Sequence, residues 1–331
     1  MWERLLETLR CPRCAQPLGL CETTRDKGEV LEGTLHCPSC GAKNPIVNGI
    51  PRFVPTENYA SSFGFEWERF AEVQTDRLHG NRLSHERFYR ELGCLPDDLR
   101  GLRVLEAGCG GGRFSEIALD AGAEVFAVDL SSAVDKSRAI RMGHPRLHLI
   151  QASILDMPLA RESFDLVFCF GVLQHTPDPA ETFRSLVPFV KPRGRLAVDI
   201  YAAHPKQSLH WKYLVRPVTK RLPRERLLDV IERAAPVLVP VSRRLRRIPR
   251  LGKALSRLVP IFVHDGFMGR VSPEEEVRWA ILETFDALTP AYDRPRSRHT
   301  LLRWFRDAGF TSIETGCMQN ALNYGRAQRP E

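Results

Sequence analysis

The sequence predicts an α/β protein built on a doubly wound, mostly parallel sheet, with a small cysteine-stapled module at the N-terminus and a helical insertion late in the sheet. Three observations carry this. From Leu102 onward, apolar runs without polar alternation trade places with amphipathic stretches, as strands buried on both faces and their covering helices do. Five of the nine cysteines fall within the first 40 residues. The strand and helix rhythm stops after Tyr201, gives way to a basic, proline-punctuated stretch, and resumes near residue 296.

In chain order, residues 1–55 are rich in Cys, Pro and Gly, with strand-like pieces in EVLEGTLHC and PIVNGIPRFV. Residues 56–100 place aromatics at helical spacing in FGFEWERFAEV and HERFYRELG, the second stopping at Gly93 with Pro96 beyond. Residues 101–201 form the first part of the sheet: strands LRVLEAG, AEVFAVDL, RLHLIQAS, FDLVFCFG and GRLAVDIY, with helices GRFSEIALDAG, SSAVDKSRAIRMG and DPAETFRSLVPFV between them. Residues 202–295 read as helical. An insertion between late strands of such a sheet lies over their carboxyl ends, where ligands bind, so this segment is expected to cap the site. Residues 296–331 return to the sheet with the helix SRHTLLRWFRDAGF and the strand TSIETGCMQ.

Composition is that of a globular protein, 43% hydrophobic and 27% charged. No run approaches the roughly 18 to 20 apolar residues of a membrane span, and MWERLLETLRC lacks the apolar core of a secretory signal. A cytoplasmic location is therefore expected, and there clustered cysteines bind metal more often than they pair. Cys11 and Cys14, then Cys37 and Cys40, form two C-x-x-C knuckles separated by 22 residues. Four thiolates suit tetrahedral zinc with no open position, hence a structural site. Cys21 and His36 lie outside the knuckles as weaker candidate ligands. Cys94, Cys109, Cys169 and Cys317 stand singly and read as small buried residues.

The stretch VLEAGCGGGRF, ending the first core strand, raises the question of its ligand. A strand, a glycine turn and a helix can hold a dinucleotide, and Asp129 ends the next strand where a ribose-binding acid belongs. Two features argue against a pyrophosphate. The glycines are Gly108, Gly110 and Gly112, with Arg113 where the third glycine of that fingerprint would fall. Glu106 would face the phosphates, and like charges 4 Å apart cost about 4 kcal/mol at an effective dielectric of about 20. A cationic cofactor reverses that sign.

At these residues the chain resembles the class I S-adenosylmethionine-dependent methyltransferases of the type 11 group. VLEAGCGGG, VFAVDLS, IQASILDMPL, FDLVFCFGVLQHTPDP and VKPRGRLAV occur in the family's order. The resemblance implies a Rossmann-like fold and S-adenosylmethionine as cofactor. It also implies that Glu106, Gly108, Gly110 and Gly112 line the methionine part, that Asp129 holds the ribose, that Leu130 packs on the adenine, and that Ser153 and Ile154 stand at the adenine edge. Family members often carry Asp where this chain has Ser153. His175, in GVLQHTPDP, is the candidate general base for a hydroxyl acceptor. That loop is not the Asn/Asp-Pro-Pro-aromatic motif common among enzymes acting on adenine or glutamine amino groups. The N-terminal module resembles the zinc-ribbon domains related to the activators of tRNA methyltransferases. His264, Asp265, Asp286, Tyr292 and Asp293 are further acceptor-side candidates from the cap.

The net charge of +8 is uneven: residues 201–260 hold 15 Lys and Arg against 3 Asp and Glu. Within them, residues 243–260, RRLRRIPRLGKALSRLVP, carry seven cations and no acid. This is a candidate contact for an anionic membrane surface or for RNA. The leading function is methylation of a small-molecule, lipid-linked or sugar-derived acceptor, on oxygen. The alternatives are an RNA (rRNA or tRNA) methyltransferase and a non-catalytic cofactor-binding partner protein; the oligomeric state is left open.

Overall fold

In the computed structural model, residues 1–55, 57–80, 82–140, 143–203, 210–263, 271–318 and 321–331 are described. Gly19–Asp26 (β1), Glu29–His36 (β2), Lys43–Val47 (β3) and Ile50–Pro51 (β4) form an antiparallel sheet in sequence order. Asn48 and Gly49 make the β3–β4 turn with φ of 50° and 71°, the left-handed pair that a two-residue hairpin needs.

The helices Ser61–Gln74 (α1, kinked at Phe70), Asp76–His79 (α2) and Leu83–Leu92 (α3) lead into the second sheet. As the sequence predicts, α3 stops at Gly93, whose left-handed backbone (φ 62°) turns its N–H back to the Tyr89 carbonyl. Strand Arg103–Ala107 (β5), helix Arg113–Asp120 (α4), strand Glu124–Asp129 (β6), helix Val134–Ile140 (α5) and strand Leu147–Gln151 (β7) build one half. Strand Phe164–Cys169 (β8), helix Pro179–Leu186 (α6) and strand Val190–Tyr201 (β9) begin the other. Asp178 starts α6 by accepting from the Ala180 and Glu181 amides, with Pro179 in the first turn.

The cap then intervenes as Trp211–Thr219 (α7), Arg224–Arg246 (α8), Gly252–Ser256 (α9) and Pro273–Leu288 (α10), the last opened by a reciprocal Ser272–Glu275 capping box. Helix Arg298–Asp307 (α11) and strands Thr311–Met318 (β10) and Leu322–Gln328 (β11) complete the sheet.

The seven strands lie in the order β10-β11-β9-β8-β5-β6-β7. Strands β5 to β9 pair in parallel, whereas β11 runs antiparallel to both neighbours. The predicted fold class is thus the observed one; β1 and β11 are beyond the strands read from the sequence, and the single piece PIVNGIPRFV folds as two, β3 and β4. The chain builds outward from β5 to β7 and restarts at β8 on the other side of β5, so a crevice opens at the carboxyl ends of β5 and β8.

The small sheet is not a tethered appendage. Leu5, Leu9, Leu35 and Ile46 pack in one continuous core with Phe126, Ile150 and Phe164 of the large sheet. Arg52 pairs in parallel with Gln151 at the end of β7, and the Phe53 amide donates to the Gln151 carbonyl at 2.8 Å. This covers part of an edge strand that would otherwise present unpaired backbone groups. Two ion pairs pin the junction: Arg138 to Glu29 through both nitrogens (2.7 and 3.1 Å), and Arg52 to Asp135 (2.6 and 3.1 Å).

Of the single cysteines, Cys109 and Cys169 are buried as read, Cys94 is half-buried, and Cys317 is exposed. The last departs from expectation because β10 is the outer strand of the sheet. Among the described residues, no helix is long and apolar enough to cross a membrane.

Candidate active site

The glycine turn follows from what surrounds it. Gly108 adopts φ 87°, and a β-carbon there would lie 2.4 Å from Val172 Cγ2 of the loop after β8. Gly110 adopts φ 51°, with the corresponding point 2.4 Å from Trp67 Nε1 of α1. Both positions therefore require glycine, for conformation and for space. Gly112 (φ 88°) serves differently, as the residue that opens α4.

One pocket gathers Glu106 near the end of β5 with Gly108 and Gly110 just beyond it, Asp129 at the end of β6 with Leu130, Ile154 after β7, and His175 after β8. Gly112 and Ser153 are not among the residues lining it. The Ser153 hydroxyl instead accepts from the Leu155 amide at 3.2 Å, starting a short turn.

Glu106 is buried and receives the Ser115 hydroxyl. Burial pushes its pKa up to about 8, with Ser115 opposing the shift and Asp129 adding to it. Asp129 accepts from the Gly110 amide (2.7 Å) and from the amide and hydroxyl of Ser131 (2.8 and 2.7 Å). Burial raises its pKa as well, against those hydrogen bonds. Two acids therefore flank the glycine turn in a partly dry pocket. Each is more easily ionised if a cation enters.

His175 is buried, and its Nδ1 lies 3.1 Å from the Tyr292 carbonyl. A carbonyl only accepts, so the proton sits on Nδ1 and the neutral ring keeps its lone pair on Nε2. Its ring packs between Phe63 and Tyr201.

Of the cap candidates, Asp286 lines the pocket and accepts from the Tyr201 hydroxyl at 3.0 Å. Tyr292 contributes its carbonyl to His175 and meets Tyr59 edge-on. Asp293 pairs with Lys212 at 2.7 Å and does not line the pocket. His264 and Asp265 lie outside the described residues.

Several pocket residues escaped the sequence reading. Glu66 and Trp67 of α1, Arg87 of α3 and Arg113 of α4 all face the pocket. Glu66 is held well above the usual carboxylate range by burial and by the nearby Asp286 and Glu283. Arg87 ties Glu91 (2.7 Å) to the fully buried Asp199, which also receives the Gly171 amide at 2.5 Å. That network fixes the loop after β8. The run FGFEWERF held the only signal for the α1 wall: aromatics on more than one face of a helix, too many for simple packing.

In the small sheet, Cys11, Cys14, Cys37 and Cys40 bring their sulfurs within 4.8 Å of one another. The Cys11–Cys40 and Cys14–Cys37 sulfurs lie 3.5 and 3.4 Å apart. Tetrahedral zinc with Zn–S near 2.3 Å spaces its sulfurs by about 3.8 Å. The four residues fit structural zinc, and among the described residues neither weaker candidate joins them: Cys21 donates to the Thr34 carbonyl and His36 packs on Gly19.

Residues 105–198 match the family described as methyltransferase domain, and residues 3–49 match the Trm112p-like proteins. The ubiquinone biosynthesis O-methyltransferase of Ralstonia nicotianae is 39% identical over 158 residues, 43% of this chain and 63% of that protein. The same enzyme of Bordetella avium is 35% identical over 136 residues, 39% of this chain and 55% of that protein. The chain thus spans only about half to three-fifths of the length of these relatives. Magnesium protoporphyrin IX methyltransferase of Synechocystis aligns over 82% of this chain and 96% of that one, at 16% identity and a TM-score of 0.45. The chain is thus similar to the Trm112p-like proteins in its first 49 residues and to methyltransferase domains from β5, beside the glycine turn, to β9.

Proposed function

We propose that this chain is an S-adenosylmethionine-dependent methyltransferase that methylates a hydroxyl of a small acceptor, lipid-linked or sugar-derived. The observation that carries the reading is the pair of carboxylates, Glu106 and Asp129, across the glycine turn. An ammonium or sulfonium would draw Glu106 into its ionised form, a gain that a pyrophosphate cannot supply, and Asp129 is placed for a ribose. The name of the aligned relatives, ubiquinone biosynthesis O-methyltransferase, supports oxygen as the accepting atom and a lipid-linked acceptor.

When bound, the cofactor supplies an electrophilic methyl group on sulfur. Gly108 and Gly110 allow the backbone to approach its methionine portion, Asp129 accepts from the ribose hydroxyls, and Leu130 and Ile154 cover the adenine. The protein's part in the transfer is alignment and exclusion of water. The cap helix α10 contributes Trp279, Leu282 and Asp286 to that enclosure. A reducing cytoplasm suits the four-thiolate zinc site, and we place the protein there.

His175 takes the acceptor proton on Nε2 while Nδ1 stays tied to Tyr292. Replacing it with Ala is expected to lower kcat by about 100-fold or more. Cofactor affinity should stay within about twofold. Equal losses in cofactor affinity and turnover would assign His175 to shaping the loop instead.

Glu106 offers a second readout. With a pKa near 8 against an ordinary value of 4.5, it is largely protonated at pH 7. It binds more protons in the folded than in the unfolded chain between those values, so its contribution destabilises the fold as pH rises through that window. A cationic ligand favours the ionised form. Calorimetry of S-adenosylmethionine binding at pH 7 in buffers of different ionisation enthalpy should therefore report release of roughly half to one proton. Glu106→Gln should abolish that release; buffer-independent heats in the wild type would contradict the assignment.

The function itself is tested by transfer of labelled methyl into extract of cells lacking the gene, fractionated into RNA, protein, lipid and polar small molecules. Label in lipid or small molecules is expected. Label in nuclease-sensitive material would overturn the reading in favour of an RNA acceptor, and binding without transfer to any fraction would make the protein a non-catalytic partner.

A further inference from the structure

Ten of the fourteen large apolar side chains exposed among the described residues lie between Leu214 and Leu258 of the cap. Four of them lie on or just after α7, and the other six run from Val230 to Leu258. Along α8 the exposed stripe reads Arg226, Val230, Arg233, Val237, Val241 and Arg244, steps of three or four residues that keep one face of the helix outward. Val230 and Val237 are 63% and 65% exposed. The opposite face, with Leu227, Ile231, Ala235 and Val239, is buried in the cap's own core. A helix resting on its domain has one apolar face, whereas α8 has a second that is interleaved with arginine.

The pattern continues beyond the helix. Leu251 and Leu258 are 63% and 75% exposed, alongside exposed Arg247, Arg250, Lys253 and Arg257. Two cations of the run turn inward: Arg243 pairs with Glu276 at 3.0 Å, and Arg246 donates to the Val263 carbonyl. The others face outward with no acid anywhere from residue 233 to 263.

We propose that the outer face of α8, α9 and the segment between them docks on an anionic lipid bilayer. The cations meet headgroup phosphates, and Ile248, Leu251 and Leu258 enter the boundary with the acyl chains. A nucleic acid fits less well. Its backbone gains nothing from bare leucine and valine, and residues 214–261 contain no aromatic ring on which a base could stack. A second copy of the chain, packed symmetrically, would set these cations against themselves. The position is functional, since α8 packs on α10, which walls the pocket. Docking there would hold the pocket close to a membrane-borne acceptor. The inference adds to the proposed function without requiring it, because binding to a bilayer needs neither cofactor nor acceptor.

The test is co-sedimentation of the zinc-loaded full chain with vesicles of phosphatidylcholine alone or with one-third phosphatidylglycerol. Binding to the mixed vesicles is expected, at least tenfold tighter than to phosphatidylcholine alone, and weakened about tenfold or more by raising salt from 0.1 to 0.5 M. R247E/R250E/K253E should lose about 30-fold or more. L251N/L258N keeps every charge and should still lose at least fivefold. Both sets of residues are exposed, so an unchanged melting temperature separates lost docking from lost folding. Equal binding to the two vesicle types would overturn the proposal. So would undiminished binding by L251N/L258N, which would leave a merely polyanion-binding surface, or a dimer of the wild type that this variant dissociates. Methyl transfer in detergent extract is independent of all these outcomes, so failure here and failure of the function reading are distinguishable.

Discussion

Stripping zinc with a chelator, or replacing Cys37 with Ser, is expected to lower the melting temperature of the entire chain by roughly 10 °C or more, in a single transition. The ribbon by itself has little to hold it. Its strand β1 is largely exposed and its turns are short, so folding there depends on the four thiolates converging on one ion. The consequence reaches further because the ribbon's Leu5, Leu9, Leu35 and Ile46 share a core with Phe126, Ile150 and Phe164. Losing the ribbon would expose that apolar surface and strand Arg138 and Asp135 without their partners Glu29 and Arg52. Differential scanning calorimetry with and without chelator decides the matter. Two transitions, the higher one unmoved by chelation, would mean that the methyltransferase domain stands without its ribbon.

Asp129→Ala should weaken S-adenosylmethionine binding by about 100-fold or more, while Asp129→Asn should retain part of it. A carboxylate accepting from ribose hydroxyls makes charge-assisted hydrogen bonds, each contributing about 1.5 to 3 kcal/mol, and alanine removes both oxygens. Asp129 also holds the Gly110 amide and caps Ser131, so its loss loosens the glycine turn in addition to removing the contact. Titration calorimetry measures the affinity, and the melting temperature of the free variant separates the two effects. Unchanged affinity in Asp129→Ala would move the ribose away from β6.

The strands that build the pocket were legible because they are buried on both faces, which imposes apolar runs such as VFAV in β6 and LVFC in β8. Strand β1, GLCETTRD, gave no such signal: it is the outer strand of its sheet and lies largely in solvent. Strand β11, LNYGRAQ, is buried only at alternate positions, and Gly325 within it leaves room for Phe305. No continuous apolar run therefore marks it. The wall made by Glu106, Gly108, Gly110 and Asp129 was readable from local order alone, as these residues stand at the carboxyl ends of β5 and β6 or just beyond. The acceptor side was not. Glu66, Trp67 and Arg87 come from helices far away in sequence, and what makes them pocket residues is a tertiary approach with no local pattern. The cap shows the same limit from outside. Its charge was plain in the sequence, but only the fold distinguishes Arg243 and Arg246, turned inward, from the cations that face solvent.

The acids around the glycine turn are expected to select a cationic cofactor over a dinucleotide. Calorimetric titration of the zinc-loaded chain with S-adenosylmethionine and with NAD, at one salt concentration and pH 7, tests it most directly. Saturable S-adenosylmethionine binding in the micromolar range, with NAD at least 100-fold weaker, is the expected result. NAD binding as tightly as S-adenosylmethionine would contradict it, because ionising Glu106 would then give a cationic ligand no advantage over a dinucleotide.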